Sequence, residues 1–556
     1  MDRSFTRADE VARRSASTCA LALAASITPW LATPSTPAHA QESTEEAPVL
    51  PSRDEPPVAP SLEERLSALE AERRESARVL AETEARLHAL EEARAATPPL
   101  PTGPSLRPLA SMLTRFEHRE GYDALGSPRS LATAGCYGGA GAAPTLADSD
   151  CIRYRARAGF EITPITLGEG VTASVRFLPQ VSGFWAMSGL GLGGPGGLGT
   201  SSSGGTVDAL LGLHEGSLAL QLGTAARFEL GRFEMAYGEH VVVGNLDWHP
   251  NGRAFDGARV RITPTASSYW IDAFWTLVNE GHAISLTGAP QPTSFGQADQ
   301  SFYGLYAGLG PLLDAAPTTA LDVYALFLQT NNRTDAAAMA EREWSLRATI
   351  GARFRHRFDL VDLRAEGAIQ TGREGALRGM SGAFGAAQTV LAGFVIGEAG
   401  VNLLEDHLRL ALEGNFASGN RPATCATPPC VDELNEGYQH LFPTAHAFLG
   451  WSDVMGARTN VGSGVLRVLY RPIDTLSLGL DWHVFVVPER PANATSNYAG
   501  QEGNLNVLWT PWTGFRARAM YAIFLPETAY FRAAGMPGYD TDPVHYLEVE
   551  LAYVLR

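Results

Sequence analysis

Hydrophobic and polar side chains alternate along much of this chain, and the segment from Glu343 to Phe358 shows the pattern best. The apolar set is Trp344, Leu346, Ala348, Ile350, Ala352 and Phe354, and the polar set is Ser345, Arg347, Thr349, Arg353, Arg355 and Arg357. A period of two predicts a β-strand whose two faces meet different surroundings. The guanidinium-rich face requires water, carboxylates or an anionic solute, whereas the apolar face suits a protein core or lipid.

The same alternation recurs from about residue 107 to residue 556, in short segments separated by Gly, Pro, Asn and Asp clusters. Because a soluble β-sandwich also alternates, the period alone does not distinguish a sandwich from a barrel in a membrane. The number of segments, aromatic residues near their ends and an N-terminal secretory signal favour a transmembrane barrel. At about 9–11 residues per crossing, this length accommodates roughly 16 to 18 strands.

The N-terminus has the pattern of a secretory signal peptide over residues 1–40. Four arginines precede an apolar stretch, and Ala38-His39-Ala40 is typical of a signal peptidase site. An uncleaved membrane anchor is the alternative. No later run reaches the roughly 18 apolar residues that a spanning helix needs.

Residues 41–60 are rich in proline, glutamate and serine, which predicts a flexible linker. A helix is predicted for residues 61–95, where Ser61 and Glu64 form a capping box. Residues at four-three spacing then predict a coiled-coil seam over residues 62–90. The seam comprises Leu62, Leu66, Leu69, Arg73, Ser76, Leu80, Thr83, Leu87 and Leu90. A single amphipathic helix on another surface is the alternative, and residues 96–106 form a second linker.

Four cysteines remain after removal of the signal peptide: Cys136, Cys151, Cys425 and Cys430. In an oxidising compartment they predict disulfides, with local pairing of the first two and of the last two as one of three connectivities. The alternative is a metal site, but no paired histidines stand at ligand spacing. We therefore predict neither a metal nor a cofactor.

The formal net charge of the whole chain is -17, which argues against a nucleic-acid partner. All 43 basic residues are arginine. Residues 106–556 hold 32 arginines and 43 acids, so the predicted barrel is acidic overall.

Two long motifs suggest a family. Residues 231–259 read GRFEMAYGEHVVVGNLDWHPNGRAFDGAR, and residues 441–460 read LFPTAHAFLGWSDVMGARTN. Together they resemble the alginate export family of outer-membrane β-barrels, over about residues 107–556. The resemblance implies an 18-stranded antiparallel barrel in the outer membrane. The coiled coil is not part of the family barrel and is similar instead to the periplasmic stalks of trimeric porins, so we expect it in the periplasm. It also implies passage of a negatively charged polysaccharide through an arginine-lined constriction, without enzymatic chemistry.

Arginine offers a planar fork of donors that matches a carboxylate, so arginines on the polar strand faces are the candidate path for an anionic saccharide or another small organic anion. The candidates are Arg153, Arg155, Arg157, Arg176, Arg232, Glu234, Arg259, Arg261, Arg347, Arg353, Arg355, Arg364, Arg467, Arg516 and Arg518. The alternative for each arginine is a salt bridge within the wall. An anion path requires that the arginines line the narrowest part while the acids lie mainly in loops and at the rims.

A further group is predicted to shape a turn rather than to touch cargo, because Asn-Gly and Asp satisfy local amides. It comprises Asp247, Trp248, Asn251, Gly252, Arg253 and Asp256.

Three other functions remain open from the sequence. The first is a trimeric general or phosphate-preferring porin with a periplasmic stalk. The second is a tether between the outer membrane and the cell wall. The third is a barrel hydrolase, although no Gly-x-Ser-x-Gly element occurs.

Chemical cross-linking of the isolated segment 41–105 tests the predicted coiled coil. Leucine-rich seams associate in water, so we expect cross-linked trimers or dimers. A segment that stays monomeric would remove the support for a trimeric porin.

Overall fold

The computed structural model describes residues 103–121, 149–184, 210–248, 252–264, 269–279, 299–310, 318–335, 340–379, 382–383, 386–421, 433–444, 446–455, 458–491, 494–531 and 542–555. The compact unit that holds them is Pro104–Arg556. The predicted signal peptide, the linker of residues 41–60 and the coiled coil lie outside the described residues. The cysteine pairing lies outside them as well, because only the backbone of Cys151 is described.

Most of the described residues belong to long β-strands. These are β1 Ser105–Glu120, β2 Ser149–Gly168, β3 Val171–Phe184, β4 Leu210–Leu222, β5 Ala226–Phe233, β6 Phe255–Ile262, β7 Trp270–Asn279, β8 Gln300–Gly308, β9 Ala320–Thr330, β10 Ser345–Phe358, β11 Val361–Glu374, β12 Gln388–Leu403, β13 Leu408–Ala417, β14 Val461–Ile473, β15 Leu476–Val486, β16 Tyr498–Trp509, β17 Phe515–Pro526 and β18 Val544–Leu555.

The smaller elements lie between the long strands. A separate small sheet contains Arg333–Asp335, Ala340–Arg342, Leu377–Gly379 and Gly382–Ala383. The two-residue strand Leu434–Asn435 pairs in parallel with β12. The helices α1 His446–Leu449 and α2 Thr528–Phe531 have one turn each.

The long strands close into a ring. Each pairs antiparallel with the next along the chain, and β18 pairs antiparallel with β1, from Ala110 opposite Leu555 to Glu120 opposite His545. Within the described residues the ring has 18 strands. Closure satisfies the backbone donors and acceptors that an open sheet would leave at its edges. The predicted all-β antiparallel barrel is confirmed.

The side chains of β10 take the two faces that their alternation predicts. Arg347, Thr349 and Arg353 point inward and are buried, whereas Ile350 and Phe354 point outward and are exposed. The pairing register determines which side chains of a neighbouring strand lie on the same face of the sheet. The division into an inner polar face and an outer apolar face therefore continues around the ring.

The outer surface is apolar at mid-strand. Exposed residues include Leu305, Ile369, Leu412, Leu480 and Leu551. Exposed or half-buried aromatic residues stand where strands end, among them Trp509, Trp512, Phe515 and Tyr553 near the turn between β16 and β17. An apolar band bordered by aromatic residues is typical of barrels in outer membranes.

The two ends of the barrel differ in loop length. Most turns after even-numbered strands are short, such as residues 169–170, 359–360 and 474–475, and the termini of the ring lie at the same end. Connections after odd-numbered strands are longer, up to residues 418–460. In outer-membrane barrels the short turns face the periplasm and the long loops face outside. No helix in the described parts of the chain is long and apolar enough to cross a membrane.

The apolar outer surface predicts that a charged side chain in the middle of a strand lowers the stability of the barrel. Leu412 lies in the middle of β13 with 66% of its surface exposed. Leu412→Arg is expected to lower the free energy of unfolding in lipid vesicles by about 2–4 kcal/mol, measured by denaturant titration. Leu360→Arg, in the short turn after β10, is the control. Equal losses in both variants would contradict a lipid-facing position for Leu412.

Candidate functional site

The first inner loop comprises residues 234–254, which connect β5 to β6 and are described except for 249–251. On one side its Asp247 contacts Arg155 of β2 at 2.9 Å. On the other side its Glu239 contacts Arg364 of β11 at 2.7 Å. Strands β2 and β11 are nine places apart in the ring of 18, which is half of its circumference. The loop therefore crosses the lumen.

The second inner loop comprises residues 433–460, which lead from the connection after β13 into β14, and it is also fixed to the wall. The side-chain amide of Gln370 on β11 donates to the carbonyl oxygen of Gln439 at 2.7 Å and accepts from its backbone N–H at 2.9 Å. On β16, the Glu502 carboxylate accepts the backbone N–H groups of Trp451 and Ser452 at 2.6 and 3.1 Å. These bonds hold the loop inside the ring at two points.

The two inner loops are bonded to each other. The Gly244 N–H donates to the Phe442 carbonyl at 2.8 Å, and the Phe442 N–H donates to the Val242 carbonyl at 3.0 Å. The Arg253 guanidinium donates to the carbonyl oxygens of Gly244 and Phe442. Burial lowers the pKa of Arg253 to about 10, so it stays protonated at neutral pH. The two sequence motifs thus form one partition across the lumen.

An aromatic stack anchors the first inner loop to the wall. The ring of Tyr237 stacks on Tyr306 of β8 with centroids 4.3 Å apart, and Tyr306 stacks on Tyr324 of β9 at 5.5 Å. The Tyr237 hydroxyl also donates to Asp272 of β7 at 3.0 Å. Since rings and hydroxyl are both engaged, the position of the loop at residue 237 is well fixed.

Arginines outnumber acids on the wall where the ring closes. At inward positions, β1, β2, β17 and β18 carry eight arginines and four glutamates. The arginines are Arg107, Arg115, Arg119, Arg153, Arg155, Arg157, Arg516 and Arg518, and the glutamates are Glu117, Glu161, Glu548 and Glu550. We call these four strands the seam wall.

Ion pairs on the seam wall are deeply buried. Arg115 contacts Glu550 at 2.6 Å, and both side chains have no exposed surface. Arg518 contacts Glu548 at 2.6 Å and Glu550 at 3.2 Å. Each glutamate here serves more than one arginine, because Arg516 also contacts Glu550 at 2.8 Å. The local balance of charge is therefore positive.

Trp248 joins the partition to the seam wall. Its indole N–H donates to Glu548 at 3.1 Å, and its carbonyl accepts from Arg115 at 2.6 Å. The Arg115 guanidinium also lies 4.6 Å from the centroid of the indole, a cation–π contact. Trp248 also contacts the second inner loop, where the ring centroid of His446 lies 3.6 Å from that of the indole.

On the opposite side of the ring the arginines are matched by carboxylates. Arg364 contacts Glu398 at 2.9 Å and Glu413 at 2.6 Å. Arg467 contacts Glu413 at 3.1 Å, Glu398 at 3.1 Å and Asp481 at 2.9 Å. These acids belong to the strands rather than to the loops. The acids are thus not confined to the loops and rims, as a simple anion path would require.

Glu239 of the first inner loop reaches this opposite side. Its carboxylate lies 2.7 Å from Arg364 and 3.4 Å from Arg353. Burial disfavours the charged form, but the two guanidinium groups outweigh it and hold the pKa of Glu239 below its usual value. The carboxylate is therefore ionised at neutral pH.

The structure places all the candidate arginines except Arg232 at inward positions. The contacts are Arg153 to Glu117 at 3.1 Å, Arg157 to Asp247 at 3.3 Å, Arg176 to Glu215 at 3.1 Å, Arg259 to Glu229 at 2.5 Å, Arg261 to Asp272 at 2.7 Å, Arg347 to Glu374 at 3.2 Å and Arg353 to Asp322 at 2.7 Å. Arg355 faces inward near the short turns, opposite Arg364 in the register. Glu234 accepts from Asn245 at 3.0 Å and contacts His214 at 2.6 Å.

Arg232 lies on the exterior face. Its neighbours Gly231 and Phe233 take the inward positions of β5, so Arg232 points outward and pairs with Asp256 at 2.7 Å. Asp256 is likewise exposed at the start of β6. Neither residue faces the lumen, because side chains alternate along a strand and the buried Phe233 and Phe255 take the inward positions next to them.

The residues predicted to shape a turn lie mostly in the first inner loop. Gly252 has a φ of +64°, a left-handed conformation that glycine adopts without strain. The Arg253 N–H donates to the Asn245 carbonyl at 2.6 Å. Asp247 and Trp248 contact the seam wall instead of local amides, and Asn251 lies outside the described residues.

One group among the described residues has the geometry to hold a metal ion. Potential ligand atoms of His214, Glu215 and Glu234 lie within 4.8 Å of one another. Arg176 and Arg157 contact the two carboxylates at 3.1 and 3.7 Å. Because guanidinium groups already neutralise these carboxylates, the group gives no support for a resident metal.

Sequence reasoning did not single out Glu239, Gln370 or Glu502. Glu239 lies within the first motif, two residues after Tyr237, but its role depends on arginines more than 100 residues away. By alternation Gln370 shares a polar strand face with Arg364 and Glu366, and Glu502 likewise occupies an inward position. Alternation does not indicate that either side chain bonds to the second inner loop.

The closed barrel, its apolar exterior and its lumen partition define an outer-membrane channel protein of the porin type. The model of the alginate export family matches residues 218–506, which is more than half of the chain. The chain therefore belongs to the alginate export family. A search of curated proteins found no match.

Solved structures that the chain resembles include barrels from Acinetobacter baumannii and Pseudomonas aeruginosa. Acinetobacter baumannii OccAB2 is 10% identical with a TM-score of 0.50, covering 81% of this chain and 98% of its own. Pseudomonas aeruginosa OccK2 (OpdF), solved in complex with glucuronate, is 10% identical with a TM-score of 0.49 and the same coverage. Pseudomonas aeruginosa OpdK with vanillate is 12% identical with a TM-score of 0.47, again over 81% and 98%. At such low identity, the likeness to OccAB2 shows a shared fold alone.

The two hydrogen bonds between the Gln370 side chain and the Gln439 backbone allow a test of what happens when the second inner loop is released. Gln370→Leu removes both hydrogen bonds to Gln439, which is expected to destabilise the inner position of the loop by about 1–3 kcal/mol. We expect higher conductance and more frequent current steps in single-channel recordings. Gln221→Leu is the control, since the side-chain amide of Gln221 donates to the Gly223 carbonyl at the short-turn end. Unchanged recordings for Gln370→Leu would show that this loop does not limit the pore.

Proposed function

We propose that this protein is a passive outer-membrane channel for an anionic saccharide, such as a uronate polymer, or for another small organic anion. The observation that carries the proposal is the excess of arginine on the seam wall, next to a partition that crosses the lumen. A positive wall beside a constriction raises the local concentration of anions. Membership of the alginate export family supports a carboxylate-bearing saccharide as cargo.

Seam-wall arginines suit a transported anion better than a tightly bound one. Each guanidinium already shares a carboxylate or a carbonyl oxygen with its neighbours, as Arg155 does with both the side chain and the backbone of Asp247. A passing carboxylate would exchange with such partners, so that binding and release stay balanced. Conduction requires sites that are favourable enough to enter and weak enough to leave.

Arg467, opposite the seam wall, suits a fixed wall structure. It contacts three strand acids, Glu398, Glu413 and Asp481, within 3.1 Å. A guanidinium held by this many wall carboxylates has little attraction left for a further anion, whereas one of the acids on Arg364 belongs to the first inner loop. The expected path for anions therefore follows the seam wall and the partition.

Other parts of the hypothesis rest on the sequence alone. Self-association through residues 62–90 and a trimeric state remain predictions, as does the periplasmic position of the coiled coil. The channel assignment argues for transport rather than hydrolysis or tethering as the main activity.

Reversal potentials across a salt gradient test the proposal. The wild-type channel is expected to prefer chloride over potassium. The double substitution Arg155→Gln with Arg157→Gln should shift the preference several-fold toward potassium, because it removes two positive charges beside the partition. Arg232→Gln is the control, because it removes one positive charge from the exterior of the barrel. A cation-preferring wild-type channel would overturn the anion path.

A further inference from the structure

A small pocket lies where the first inner loop meets β10 and β11. It is lined by Glu239 and Val241 of the loop, by Arg353, Arg364 and Glu366 of the wall, and by Ile396 of β12. Two guanidinium groups from adjacent strands converge here on one carboxylate. Such convergence is how proteins bind the carboxylate of a ligand. In this structure the carboxylate belongs to the chain itself.

Other residues hold the two arginines in place independently of Glu239. Arg353 donates to Asp322 at 2.7 Å, and Arg364 donates to Glu398 and Glu413 at 2.9 and 2.6 Å. The arginine positions would therefore persist if the Glu239 carboxylate left. The Nε atoms of Arg353 and Arg364 are buried and have no hydrogen-bond partner among the described residues. The pair thus has donors beyond those that Glu239 uses.

Glu239 stands at the tip of a tight turn whose base is fixed. The His240 N–H donates to the Tyr237 carbonyl at 3.0 Å, which closes the turn. Gly238 and His240 on either side have φ values of +55° and +63°. A Cβ atom at residue 238 would lie 2.7 Å from Cδ of Arg353, so only glycine permits this approach. Because the aromatic stack fixes Tyr237, rotation of the Glu239 side chain alone can vacate the arginines.

We propose that Glu239 is a resident competitor, whose carboxylate occupies a binding subsite for the carboxylate of the cargo on Arg353 and Arg364. The inference rests on the proposed function, because it assigns one subsite of the anion path. Exchange of one carboxylate for another leaves the charge of the pocket unchanged. The cargo carboxylate therefore enters and leaves this subsite with little change in free energy, as passage through a channel requires.

Glu239→Gln tests the competitor, because glutamine keeps the shape of the side chain and removes its charge. Glucuronate serves as the probe, and its block of chloride current through single channels is measured. The half-blocking concentration is expected to fall on the order of ten-fold, since a charge-assisted competitor is lost. Glu343→Gln is the matched control, because Glu343 pairs with Arg373 at the long-loop end. Heat-dependent gel mobility checks that each variant has folded.

A second variant locates the subsite. Combining Glu239→Gln with Arg364→Gln should return the half-blocking concentration to the wild-type value or above it. If Glu239→Gln raises conductance without strengthening the block by glucuronate, Glu239 is a structural tie and the inference fails. An anion-selective wild type with no effect of Glu239→Gln defeats this inference only. A cation-selective wild type with a stronger, Arg364-dependent block defeats the general anion path but leaves the subsite.

Discussion

Closure of the sheet is the constraint on which the rest of this structure depends. In a membrane every backbone donor and acceptor must find a partner, and the pairing of β1 with β18 removes the last free edges. A closed ring divides each strand into an inner and an outer face. The arginines of β1, β2, β10 and β11 are then confined to a lumen, where their charges need partners. Glutamates of the strands supply part of that need, and carboxylates of the first inner loop supply more.

The inner loops narrow the lumen, and they also supply partners for the arginines of the wall. Asp247 and Glu239 face arginines on opposite walls, so the first loop is stretched across the lumen by charge at both ends. The second loop is held instead by hydrogen bonds between its backbone and the side chains of Gln370 and Glu502. Carbonyl and amide groups then join the two loops at Phe442. The constriction combines these long-range polar pairs with a buried apolar cluster that both loops share with the wall.

The sequence was sufficient for the fold and for the facing of most lumen residues. Alternation in β10 predicted which arginines point inward, because parity is a local property of a strand. Arg232 is the exception among the candidate arginines. The inward positions of β5 belong to Gly231 and Phe233, so Arg232 faces the exterior. The contacts of Glu239 could not be predicted, since its partners Arg353 and Arg364 are more than 100 residues away in the chain. Both family motifs were recognised, but nothing in either motif indicates that the two touch.

The bond between the inner loops also has a consequence for how the barrel assembles. Arg253 and Phe442 are 189 residues apart in the chain, and the second loop leads directly into β14. Contacts so distant in sequence carry a large loop-closure cost, so we expect the partition to close after the intervening strands have paired. On that order, a barrel under assembly would have a wide, undivided lumen until the second loop is in place.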